Sequence, residues 1–269
     1  MLRGSMIRST YNIVVSKMSS KSSGKPFYST LQSTNSVKVN KKTIKPLSYN
    51  QQKYCEYLKD SSVSIVVGIG KAGSGKTLLA ADSAINSVYN NELEKILITR
   101  PAVTLDEDHG FLPGKLEDKM APYLKPLFDC FLQYYSMETI KSMMKNELIE
   151  ICPLAYIRGR TFHDCFIIAD EMQNTTPNQM KTFLTRIGQN TKVAITGDLE
   201  QCDIPDINGL RHFLDQAGVY NRLQDARGLL AADDAIKVVE FTENDVQRSE
   251  IVKTVLSIYS ANPVDTFFI

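Results

Sequence analysis

No stretch of this 269-residue chain approaches the roughly 20 consecutive apolar residues of a membrane span, so a transmembrane helix is not expected. Its five cysteines (Cys55, Cys130, Cys152, Cys165 and Cys202) are odd in number, widely spaced and form no C-x-x-C pair. That pattern argues against a disulfide framework and against a zinc site. It suits a reducing compartment in which each thiol, set beside apolar neighbours, acts as a small buried hydrophobe. There is no internal repeat, and acidic side chains are missing altogether from residues 1 to 55.

That last absence exposes an asymmetry beneath a net charge of only +1. Ten of the 31 Lys and Arg precede residue 56 and none of the 30 Asp and Glu does, which leaves 56 to 269 with a net charge of −9. Residues 1–45 therefore read as a basic arm. Its Ser-rich, acid-free composition and the opening Met1-Leu-Arg-Gly-Ser-Met-Ile-Arg8 suit a transit peptide for a mitochondrion or plastid. A basic arm for nucleic acid and a disordered tail are the alternatives. The remainder has the composition of a soluble, cytoplasmic-type protein.

Beyond the arm, short apolar runs alternate with helical patterns. Strands are predicted over 63–69, 95–99, 148–152, 164–169, 192–196 and 236–241, with helices over 76–90, within 121–146, over 177–188 and over about 245–260. Continuous apolar strands separated by helices predict an α/β fold whose mostly parallel sheet is covered by helices on both faces. Such a sheet binds ligands beyond the carboxyl ends of its strands. A single domain is expected over 46–260, followed by a tail at 261–269. The excursion from Arg100 to Pro126, marked by proline and glycine, reads as a recognition or interface loop.

Residues 70 to 77 read Gly-Lys-Ala-Gly-Ser-Gly-Lys-Thr, a complete G-x-x-x-x-G-K-[ST] loop between a buried strand and a helix. Gly70, Gly73 and Gly75 let the backbone curl, so that amides contributed with Lys71, Ala72 and Ser74 point at phosphate oxygens. Lys76 supplies charge to the β/γ-phosphates, and Thr77 supplies a hydroxyl to Mg²⁺. A nucleoside triphosphate is the implied ligand. Asp170-Glu171 closes the apolar run 164–169; the first carboxylate suits Mg²⁺ and the second suits polarising a water for attack on the γ-phosphate. That geometry is expected to need the strand of Asp170 beside the strand that feeds the phosphate loop. Thr196-Gly-Asp-Leu-Glu-Gln201 follows another strand, where Gln201 could touch the γ-phosphate or the water. Phosphoryl transfer also wants an arginine, and Arg100, Arg158, Arg160, Arg186 and Arg248 are unranked candidates.

Together with Arg100-Pro-Ala-Val103, Gly110-Phe-Leu-Pro-Gly114, Arg158-Gly-Arg-Thr161, Asp170-Glu-Met-Gln-Asn174, Leu184-Thr-Arg-Ile-Gly188 and Gly197-Asp-Leu-Glu-Gln201, the phosphate loop resembles the PhoH-like ATPases over about 46 to 260. The chain also resembles the first RecA-like half of superfamily 1 helicases. The resemblance implies a RecA-like P-loop fold, binding and hydrolysis of ATP with Mg²⁺, an association with RNA metabolism, and homo-oligomers, rings among them. It further implies phosphate-loop roles for Lys76 and Thr77, Mg²⁺ binding at Asp170, water activation by Glu171 and γ-phosphate sensing by Gln201. Gln51 would read the adenine edge, and Arg248 would approach the phosphates. Two departures stand out: Met172 replaces the usual alanine, and Thr104-Leu-Asp-Glu-Asp-His109 is more acidic than the family's glycine-containing version. No nuclease segment is legible, so RNA cleavage is not implied. A nucleotide-dependent assembly module and a small-molecule P-loop kinase are the competing readings; the adjacent Asp170 and Glu171 favour water as acceptor over the kinase.

Overall fold

The computed structural model describes residues 44–101, 125, 127–204, 207–226 and 235–247, together with 251, 254, 255 and 258. Nearly all of the basic arm, most of the Arg100–Pro126 excursion, Arg248 and the tail at 261–269 lie outside the described residues.

Helix α1 (Tyr49–Lys59) begins where Ser48 accepts a hydrogen bond from the Gln51 amide, and it ends on Lys59. Its buried residues Gln51, Tyr54, Cys55 and Leu58 form a stripe at spacings of three and four. Polar and aromatic members of that stripe hide it from a hydropathy reading, and the sequence analysis did not expect this helix. Strand β1 (Ile65–Gly70) leads through the phosphate loop into α2 (Lys76–Tyr89) and β2 (Lys95–Thr99). Helix α3 (Met137–Lys145) and β3 (Ile149–Ile151) precede β4 (Cys165–Ala169).

Helix α4 (Pro177–Leu184) has proline in its first turn and a capping box between Thr176 and Gln179. It stops four residues before its predicted end because Ile187 turns away to bridge Phe162. Strand β5 (Lys192–Gly197), helix α5 (Gly209–Ala226) and strand β6 (Ile236–Phe241) complete the order. Helix α5 was not expected either, since Gly209 and Gly218 and its polar residues blur the pattern. The final segment is helical at 251, 254, 255 and 258, but 246 and 247 are not, so its predicted start at 245 is too early.

All strand pairs are parallel, in the order β3-β2-β4-β5-β1-β6. Alternate residues face opposite sides. Val67, Leu97, Ile167, Val193 and Ile195 form one core with Met180 and Phe183 of α4 and Leu210 of α5. The alternating set, Val66, Ile96, Ile98, Phe166, Ile168 and Ala194, is equally buried, and α2 packs along β2, β4 and β5. Helices thus cover both faces of a parallel sheet, the α/β P-loop architecture expected. Among the described residues, no helix is long and apolar enough to cross a membrane.

One expectation is corrected. Strand β4, which carries Asp170 at its end, does not neighbour β1; β5 lies between them. Register explains why the chemistry survives. Ile69 pairs with Gly197, and Ala169 pairs with Ile195, so the carboxyl ends of the three strands emerge at one edge.

Candidate active site

The phosphate loop takes its shape from its glycines and its neighbours. Gly70 has φ +135°, and a Cβ there would come within 2.2 Å of the Phe241 carbonyl oxygen, so the crossing of β1 and β6 admits no side chain. Gly75 has φ +89° and forms the start of α2 without any side-chain cap. With no side-chain cap, the first turn and its dipole face the loop as an anion site does.

Behind the loop, the turn at Glu243–Asp245 acts as a brace. The Gln247 amide donates to the Gly73 carbonyl across 3.1 Å. Asp245 accepts from Asn50 Nδ2 at 2.9 Å and from the Thr242 amide at 2.6 Å. Burial works against ionisation of Asp245, but these donors with Ser48 outweigh it and hold its carboxyl below the usual range. Lys71 points outward to an ion pair with Glu243 at 2.5 Å.

Gln51 belongs to this brace. Its amide nitrogen donates to the carbonyls of Ser74 at 3.0 Å and Asp245 at 3.3 Å, and its oxygen accepts from the Leu47 amide at 2.7 Å. Both N–H donors are used within the protein, and Gln51 does not line the cavity described below. Its observed occupation is therefore holding the loop, a different one from the adenine contact implied by resemblance.

Lys76 is buried and folds back on its own loop, donating to the carbonyls of Gly70 at 2.5 Å and Lys71 at 2.9 Å and to Ser74 Oγ at 3.1 Å. A cavity of about 250 Å³ opens in front of the loop. Its walls include Lys76, Thr77, Glu171, Asp198, Gln201 and Cys130. Burial, with the charges of Asp129 and Asp170, pushes the Cys130 thiol up to about 11, so it lines the cavity as a protonated, unreactive group.

Asp170 is the hub. Its Oδ1 accepts from Thr77 Oγ1 at 2.8 Å and from Thr196 Oγ1 at 2.5 Å, while Arg100 reaches Oδ2 at 3.8 Å. A hydroxyl beside a single carboxylate is a hard oxygen donor set that fits Mg²⁺, which keeps several waters and takes further ligands from substrate phosphates. No cluster of three or more His, Cys, Asp or Glu suited to a metal is found among the described residues.

Glu171 follows in a left-handed conformation, φ 55° and ψ 40°. This is a strained backbone for a residue with a Cβ, of the kind concentrated at functional sites. Gln201 lines the cavity from the loop after β5.

The arginines separate. Arg100, at the carboxyl end of β2, lies near Asp170, whereas Arg160 is committed to Glu150 at 2.5 Å beside the edge strand β3. Arg186 belongs to the segment entering β5, at the opposite edge of the sheet, and Arg158 is exposed. Arg248 lies outside the described residues. Thr196, Asp198 and Gln173 stood within the quoted motifs, but sequence reasoning gave none of them a role of its own. A threonine ending a buried apolar strand was the available signal for Thr196.

The chain is similar to known proteins. The family model described as PhoH-like protein matches residues 43–260. PhoH-like proteins of Mycobacterium tuberculosis and Bacillus subtilis are 42% and 41% identical over 219 and 218 residues, 81% of this chain in each case and 58% and 64% of theirs. Protein PhoH of Escherichia coli K12 is 36% identical over 218 residues, 80% of this chain and 58% of that protein. The match thus spans about three fifths of these relatives' own length. Among solved structures, the Sulfolobus solfataricus SWI2/SNF2 ATPase core in complex with dsDNA is similar with a TM-score of 0.44 at 14% identity, over 76% of this chain and 46% of that one. With a family model matched along most of its length and a phosphate loop, carboxylate pair and Gly-Asp-x-x-Gln segment gathered at one cavity, the chain belongs to the PhoH-like protein family.

Proposed function

We propose that this protein is a Mg²⁺-dependent ATPase whose hydrolysis is coupled to RNA or another nucleic acid. One observation carries the reading: Thr77 and Asp170 meet at 2.8 Å beside a cavity that Lys76, Glu171 and Gln201 also line. The amides of Gly73 to Thr77 and the α2 dipole bind the β- and γ-phosphates, and Lys76 leaves its loop carbonyls to place its charge there. Thr77 and Asp170 would hold Mg²⁺, which when bound neutralises charge on the phosphate oxygens. Glu171 accepts a proton from the attacking water, and Gln201 positions that water or the γ-phosphate. Arg100 is the described arginine able to add positive charge at Asp170's edge of the site.

The coupling to nucleic acid rests on the resemblance to the first lobe of superfamily 1 helicases. Unwinding would need a second lobe, supplied by self-association or by a partner. With a core of net charge −9, any nucleic-acid surface is a local basic patch or the arm.

The test is steady-state ATP hydrolysis by the full chain with and without single-stranded RNA, single-stranded DNA and duplex, beside Lys76→Ala and Glu171→Gln. Lys76→Ala should lose both hydrolysis and tight nucleotide binding. Glu171→Gln should bind ATP and fail to turn it over. Stimulation by one polymer names the substrate class. Hydrolysis that no polymer changes would leave an ATPase with a protein partner. Equal rates for wild type and Glu171→Gln would remove Glu171 from water activation.

A further inference from the structure

We infer that Gln173 is the positioning residue of this site, the side chain that aims the Glu171 carboxylate and ties it to the segment bearing Gln201. The inference rests on the ATPase reading and deepens it.

Gln173 is buried, two residues beyond Glu171 in the turn Met172–Asn174. Its amide nitrogen donates to Glu171 Oε2 at 2.5 Å and to the Gln201 carbonyl at 3.1 Å. Its amide oxygen accepts the Asp198 N–H at 3.1 Å. One primary amide thus spends both N–H groups and its carbonyl on three partners, all of them residues that line the phosphate cavity, Glu171 with its carboxylate bonded. Only a side chain with two donors and one acceptor satisfies this set.

The surroundings enforce the contact. Gly197 passes so close that a Cβ there would lie 3.0 Å from Gln173 Oε1. Next to it, Asn174 and Asp203 exchange two hydrogen bonds of 2.9 Å, fastening the same turn to the same loop. Glu171 itself sits at φ 55°, a conformation that local preference does not select.

Two consequences follow for hydrolysis. Donation to Oε2 fixes the carboxylate plane and leaves Oε1 to take the water's proton. Because the same nitrogen holds the Gln201 carbonyl, a movement of that loop on contact with a γ-phosphate reaches Glu171 through one side chain.

Gln173→Met keeps the length and removes the amide. Its kcat should fall about tenfold to hundredfold, within the range that a positioned base contributes. KM for ATP should change less than twofold, roughly, since Gln173 does not touch the cavity's phosphate-binding wall. Gln173→Glu, nearly isosteric, should lower kcat at least as far, because it replaces the donor to Glu171 by an acceptor. Asn174→Ala cuts the neighbouring fastening and leaves Glu171's donor in place, so its kcat should stay within about threefold of wild type.

Nucleotide binding and thermal unfolding of each variant identify any that fail to fold; the isosteric Gln173→Glu then carries the measurement. If wild type hydrolyses ATP and the Gln173 variants show its kcat, the positioning role is overturned and the ATPase reading stands. Absence of hydrolysis by wild type would overturn both.

Discussion

Thr77 Oγ1 donates a 2.8 Å hydrogen bond to Asp170 Oδ1 although the strands that deliver them are separated by a whole strand, β5. The gap is closed from both sides. The phosphate loop curls toward β4, and Thr196, on the intervening strand, bonds the same Asp170 oxygen at 2.5 Å. Asp170 is thereby fixed by residues from β5 and α2 before any ligand arrives, which is the preorganisation that phosphoryl transfer uses.

This arrangement makes Asp170→Asn a selective lesion. An amide keeps the shape and an acceptor oxygen for Thr77 and Thr196, so folding should persist. The lost charge should weaken the divalent site and lower kcat by at least about a hundredfold, the scale of removing one preorganised electrostatic group. Mn²⁺ titration followed by electron paramagnetic resonance, with ATP present, reads the metal directly. Unchanged Mn²⁺ affinity in Asp170→Asn would move the metal site elsewhere.

Much of this site could be read in advance because its chemistry is local in sequence. The eight residues from Gly70 to Thr77 and the pair Asp170-Glu171 carry their signal within a few positions and beside apolar strands. What escaped the sequence is non-local or disguised. That β5 would separate β1 from β4 depends on pairings such as Ile69 with Gly197, which no short window contains. Helix α1 hid because its buried stripe includes Gln51 and Tyr54. Gln173 was visible as a member of the Asp170-Glu-Met-Gln-Asn174 motif, but its role was not, since two of its three partners, at 198 and 201, lie far along the chain.

The brace behind the phosphate loop should register pH. Hydrogen bonds from Asn50, Ser48 and Thr242 hold the Asp245 carboxyl below its usual range, and the residue is 2% exposed. The folded state thus binds fewer protons at this group than the unfolded chain does. Its contribution is complete above the unfolded value of about 3.9 and disappears as pH falls through the folded value. Asp245→Asn should cost about 1–3 kcal/mol at pH 7, through an amide N–H set against the donors of Thr242. Thermal melts of the two proteins between pH 3 and 7 should differ at neutrality and converge in acid. A gap that stays constant across that range would show that Asp245 is not ionised in the way described.

Lys192 tests the opposite edge of the sheet. It opens β5, is buried, and its ammonium donates to the carbonyls of Tyr57, Asp60 and Val63, where α1 ends and the chain turns into β1. The Tyr57 and Asp60 carbonyls belong to the last turn and the cap of α1, where a cation suits the negative end of the helix dipole, and Val63 lies in the turn that follows. Lys192→Met keeps the aliphatic stem and strips the donor from all three. The expected cost is about 2–4 kcal/mol, since buried acceptors lose a charged partner. For a folded region of this size that lowers the melting temperature by roughly 5 to 15 °C. The phosphate cavity lies beyond the other end of β5, about 17 Å away along its six residues, so KM for ATP should not change. A Lys192→Met protein as stable as wild type would mean that water satisfies these carbonyls, and that Lys192 does not hold α1 to the sheet.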